Sequence, residues 1–170
     1  MKQNFQMFAA YNSWANGLVY DAAAKLSDEE YRRDMAAFFG SIHGTLNHIM
    51  VADRVWMKRF TGEGDHPKTL DTILFEHPAA LRAAREAEDR RIIAFVDGLD
   101  GKAIAGRFTY ITVTDVRTVS QRLAPALSHV FNHQTHHRGQ VHAMLTALGH
   151  EAPSLDLSRF QRTETGRIFA

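Results

Sequence analysis

The sequence predicts an all-α protein, a four-helix bundle with a short β-hairpin inserted before the last helix. Four long stretches repeat apolar residues at steps of three and four, the spacing of one helical face. Only the segment between Gly106 and Ser120 switches to β-branched and aromatic residues. With 45% hydrophobic and 23% charged residues the composition is that of an ordinary globule, so we expect a single domain over residues 1–170.

The first helix is expected from Asn4 to Leu26, where Phe8, Tyr11, Ala15, Leu18 and Ala22 share a face. Ser27 followed by Asp28, Glu29 and Glu30 reads as a cap with acids in the first turn, so a short helical piece follows. The second long helix is expected from Ser41, a plausible cap, to Phe60, with Ile42, Leu46, Ile49, Trp56 and Phe60 as its stripe. Gly62, Gly64 and Pro67 make Thr61 to Lys68 a loop. The third helix is expected from Pro78 to Leu99, with Leu81, Ala84, Ile92, Phe95 and Leu99 inward and Arg82, Arg85, Arg90 and Arg91 toward water. Phe108–Val113 and Val116–Val119 read as the hairpin strands, with Thr114 and Asp115 between them. The fourth helix is expected from Gln121 to Leu148, stopped by Gly149. His150 to Ala170 reads as an irregular tail with one turn of helix.

Lys and Arg number 20 and Asp and Glu 19, so the net charge is +1, which argues against a dedicated nucleic-acid or anionic-membrane partner. No stretch approaches the length of a membrane span, and no signal-like segment opens the chain, so a cytoplasmic location is expected. Cys is absent, which excludes thiolate nucleophiles and sulfur-ligated metal.

The unusual number is ten histidines. On the fourth helix the apolar stripe reads Ala126, Val130, His133, His137, Val141, Met144 and Leu148. Two histidines four apart thus occupy core positions on one face, with Cβ atoms about 5–6 Å apart. Two imidazoles at that spacing can grip one cation, which also relieves the cost of burying them, about 1–3 kcal/mol for each unsatisfied group. His48, next to Ile49 on the second helix, can point inward as the third ligand, giving a three-histidine site with positions open for water or substrate. His129, one turn before His133, competes with His137 for a place. His43 is expected at the surface, and His136 and His142 fall off the stripe. His66, His77 and His150 sit in or beside loops. A general base is hard to find: Glu88 is read as a polar residue at the bundle's edge and Asp53 as a solvated helix charge. No His-Glu-x-x-His, phosphate loop or dinucleotide loop is present.

Several runs resemble the DinB/YfiT-like bundle proteins: Tyr11-Asn12-Ser13-Trp14-Ala15-Asn16, His48 through Trp56, Asn132 through Gln140 with its His-x-x-His-His-Arg-Gly-Gln core, and Gly149 through Asp156. The resemblance implies a bundle of up-down-down-up type that forms a homodimer. It implies a divalent metal, nickel or zinc, on His48, His133 and His137. It also implies a metal-dependent enzyme of thiol S-transferase or hydrolase type, whose partners are a small-molecule substrate and a low-molecular-weight thiol. The alternative is a non-enzymatic, metal- or small-molecule-binding stress-response dimer.

Overall fold

A computed structural model describes residues 1–112 and 116–170. In chain order its elements are α1 (Lys2–Ala23), the short α2 (Asp28–Arg32), α3 (Ile42–Thr61), α4 (Pro78–Gly98), the short α5 (Gly101–Ala105), β1 (Arg107–Ile111), β2 (Thr118–Arg122), α6 (Leu123–Ala147) and the one-turn α7 (Leu157–Phe160). A 3-10 turn over Arg167–Phe169 closes the tail.

The helix ends follow local chemistry. The Ser27 hydroxyl accepts from the Glu30 amide while the Glu30 carboxylate accepts from the Ser27 amide, a reciprocal cap that starts α2. Ser41 caps α3 by accepting from the Gly44 amide at 3.0 Å. Gly62, at φ +77°, ends α3 in the left-handed conformation that glycine adopts without strain. The fourth long helix starts at Leu123, not Gln121, because Gln121 and Arg122 pair with Phe108 and Arg107 in the hairpin. The antiparallel strands turn Phe108, Tyr110, Val119 and Gln121 inward. The expected turn at Thr114 and Asp115, and Val113 before it, lie outside the described residues. Val116 falls before β2 rather than in it. The α5 turn was not expected, although Asp100 is a ready cap and accepts from the Ala103 amide at 2.7 Å.

Around the bundle, α1 packs on α4 and α6, and α3 packs on the same two helices, so α1 and α3 lie across a diagonal. Two apolar cores fill opposite ends. One joins Val19, Leu46, Ile49, Met50, Leu81, Val141 and Leu145. The other joins Phe5, Met57, Ile92, Val96, Leu127 and Phe131. Residue numbers rise from the second core to the first along α1 and α6, and from the first to the second along α3 and α4, so the topology is up-down-down-up. Successive helices pointing the same way need a long return connection. Residues 62–77 supply it, running back along α3.

Between the two cores lies a polar layer. Asn12 and Asn16 of α1, Asp53 of α3, Arg85 and Asp89 of α4, and Gln134 and Arg138 of α6 are all buried. Arg85 pairs with Asp53 at 2.5 Å and with Asp89 at 2.9 Å. Arg138 donates to Asn12, to Asn16 at 3.1 Å and to Gln134 at 3.2 Å, and Gln134 donates to Asp53. Two cations and two carboxylates balance, and each charge has partners, the condition for burying charge at tolerable cost. Arg85 and Asp53 therefore do not face water as the sequence suggested. The tail folds back on α1: the Tyr11 hydroxyl donates to the Leu155 carbonyl at 2.6 Å, and Phe160 packs against Tyr11 and Trp14.

Candidate metal centre

Between α3 and α6, which pack together, His48, His133 and His137 meet. One nitrogen from each lies within 4.8 Å of the other two, so the group can hold a metal ion. The His133 Nε2 is 3.2 Å from the His48 Nε2 and 3.1 Å from the His137 Nε2. With metal–nitrogen bonds of about 2.0–2.1 Å, tetrahedral ligands sit about 3.3 Å apart, so the spacing suits a shared cation.

The hydrogen bonds behind the rings make the same point. His48 Nδ1 lies 2.8 Å from the Leu70 carbonyl, which can only accept, so that nitrogen carries the proton. His137 Nδ1 donates to the Gln140 side-chain Oε1 at 2.7 Å. Both Nε2 atoms therefore present bare lone pairs toward His133. The His133 Nε2 can offer one proton at most, which leaves the rest of this nitrogen cluster facing lone pair to lone pair. A cation satisfies all three at once. Burial pushes the three imidazoles below the ordinary histidine value, and with the neighbouring rings adding to it His133 falls to about 3 and His137 to about 4. All three are neutral at pH 7, the form that ligates metal.

The return connection is pinned to α3 so that Leu70 meets His48. Asn47 accepts from the Leu74 and Phe75 amides at 2.9 and 3.0 Å, and the His43 ring meets the Phe75 carbonyl at 3.0 Å. His43 is therefore buried, not superficial: its position off the α3 core stripe faces the return connection instead of solvent. On another side, Phe39 stacks on His48 with centroids 3.7 Å apart and meets the edge of His137 at 5.6 Å. Gly44 makes that possible, since a Cβ there would stand 2.1 Å from the Phe39 carbonyl oxygen.

His129 stays outside the cluster, with its ring 5.8 Å from that of His133 and 5.0 Å from Trp56. His136 is exposed, with its ring 4.8 Å from that of His137. Neither acid considered from the sequence serves the centre: Glu88 is buried and pairs with Arg91 at 3.0 Å, and Asp53 is held by Arg85. A separate cavity of about 540 Å³ opens between α1 and α6, lined by Phe8, Tyr11, Phe131 and Arg138 among others. It shares no residue with the histidines, which face α3, so we place the chemistry at the imidazoles.

Known proteins share this fold and much of this sequence pattern. A solved structure of a DinB-like protein from Bacillus cereus ATCC 10987 superposes with a TM-score of 0.64 at 15% identity, covering 83% of this chain and 90% of that one, a likeness of fold. "Protein DinB" of Bacillus subtilis (strain 168) is 28% identical over 157 residues, 86% of this chain and 87% of that protein. The model of the DinB family matches residues 1–167, and the chain belongs to that family.

Proposed function

We propose that this protein is a divalent-metal-dependent enzyme of thiol S-transferase or hydrolase type, with His48, His133 and His137 as its metal ligands. The observation that carries the reading is the convergence of three neutral imidazole nitrogens in a donor set one ligand short of a closed tetrahedral site. A divalent cation there supplies Lewis acidity, lowering the pKa of a water or a small thiol to near neutrality. The chain's own part is to hold three ring nitrogens unprotonated, to orient two of them through Leu70 and Gln140, and to cover the His48 face with Phe39. Nickel and zinc are the metals proposed, since imidazole suits both. The family resemblance supports a homodimer, which sedimentation tests, and the cytoplasmic location expected from the sequence is tested by fractionation.

One observation favours a second reading, a metal- or small-molecule-binding stress-response dimer without turnover: Glu88 and Asp53 are both engaged by arginines, so neither of these acids stands ready as a base. Metal analysis of untagged protein, followed by assay with a thiol and a model electrophile and with esters, separates the two. The enzyme reading expects stoichiometric metal and turnover that chelation abolishes. Stoichiometric metal with no turnover on any of these supports the second. His133→Ala abolishes metal binding in calorimetry, whereas His136→Ala leaves it within about threefold, since an exposed residue of this kind contributes little.

A further inference from the structure

Arg59 stands apart among the arginines drawn into the protein. Arg85 and Arg138 are buried but partnered on several sides. Arg59 is half-buried and shares with those two an Nε shielded without a hydrogen bond, but unlike them it has no Asp, Glu or side-chain amide paired with it among the described residues. What holds it is aromatic. Its guanidinium carbon lies 4.6 Å from the centroid of the Trp56 ring and 4.4 Å from that of Tyr110. The Tyr110 hydroxyl is itself tied to Gln121 at 3.1 Å, and Trp56 meets Tyr110 edge-on at 5.7 Å. Two rings from two elements thus fix a guanidinium in place while leaving its charge unanswered. Cation–π contact positions an arginine but does not neutralise it.

The location of that charge gives it meaning. From the metal centre a line of ring contacts runs along the surface shared by α3 and α6: His133 to His129 at 5.8 Å, His129 to Trp56 at 5.0 Å, Trp56 to the Arg59 guanidinium at 4.6 Å. His129 is exposed and stands outside the ligand set, so this line runs along the surface. A molecule held at the histidines and extended over His129 and Trp56 brings its far end to Arg59.

We propose that Arg59 is a specificity-determining residue of the three-histidine centre, receiving a distal carboxylate of the small molecule that the centre holds. The inference rests on the metal-site reading above and deepens it. The recognised class is an elongated thiol or electrophile with an apolar or aromatic-compatible middle and an anionic end. A planar guanidinium fixed on its ring faces meets a carboxylate edge-on with two parallel donors, a geometry that lysine cannot copy.

The test uses full-length protein loaded with Co(II), whose thiolate charge-transfer absorption reports thiol coordination independently of turnover. The probes are 11-mercaptoundecanoate and 11-mercaptoundecan-1-ol, long enough to follow this line and different only in the distal group, together with 3-mercaptopropionate as a chain too short to reach. We expect the long acid to bind at least about fivefold more tightly than the alcohol. We expect 3-mercaptopropionate to lack that advantage. Arg59→Met removes the preference without changing Co(II) affinity, and Arg59→Lys restores only part of it. Equal binding of long acid and alcohol, or a preference that survives Arg59→Met, overturns the assignment of Arg59 while leaving the metal site standing. Should Arg59→Met fail to fold, Arg59→Gln replaces it, keeping polarity and much of the length. A wild-type protein that takes up no Co(II) overturns the metal-site reading itself, and the role of Arg59 with it.

Discussion

Two histidines on an apolar stripe are legible to anyone reading the chain, because a polar side chain at i and i+4 in place of core residues needs a reason. His48 is less legible, since it sits beside the α3 stripe, and geometry had to bring it to the other two. The polar layer was not legible. Arg85 and Asp53 look like solvated helix charges because nothing in one helix shows that a neighbouring helix offers the matching charge. At this scale the depressed histidines predict a pH effect on the metal-free protein. Their folded values lie below about 6.5, where the unfolded chain titrates, and reach about 4 and about 3 for His137 and His133. Below pH 6.5 the unfolded state therefore binds protons that the folded state refuses. Stability from this source is full above pH 6.5 and falls as the pH drops toward 4. Urea midpoints measured between pH 7 and 5 should decline, and the decline should shrink in His133→Leu. An unchanged slope in that variant would contradict the origin assigned here.

Among the elements, the long helices could be read from periodicity and their caps, and Ser27, Ser41 and Pro78 all sit where expected. The boundary between β2 and α6 could not be read. Gln121 and Arg122 suit either state, and pairing with Phe108 and Arg107 decides between them. The contact between α3 and the segment before it also escapes sequence reading, although a glycine inside a helix is a hint, since it costs about 1 kcal/mol against alanine. Gly44 is that glycine, and the Phe39 carbonyl occupies the space a side chain would need. Gly44→Ala should therefore destabilise despite its better helix propensity, by about 1–3 kcal/mol. It should also weaken metal binding severalfold by lifting Phe39 from His48. Thermal melts and calorimetric metal titration read the two effects.

For the molecule as a whole, the layer of Asn12, Asn16, Asp53, Arg85, Asp89, Gln134 and Arg138 joins all four long helices at mid-height. Arg85→Met strips both carboxylates of their cation in a buried setting. The expected loss is about 3–5 kcal/mol in chemical denaturation, far beyond an ordinary surface substitution. A loss under about 1 kcal/mol would show that the layer is wetter than its burial implies. The up-down-down-up arrangement adds a consequence of another kind. Because the chain must travel back along α3, a main-chain oxygen at position 70 ends up governing an imidazole tautomer. Every amino acid carries that oxygen, so replacements at position 70 that keep the backbone path pass unnoticed by His48. Insertions and deletions in the span are not silent in this way. Evolutionary retuning of this histidine is thus open to changes in segment length and largely closed to point replacement.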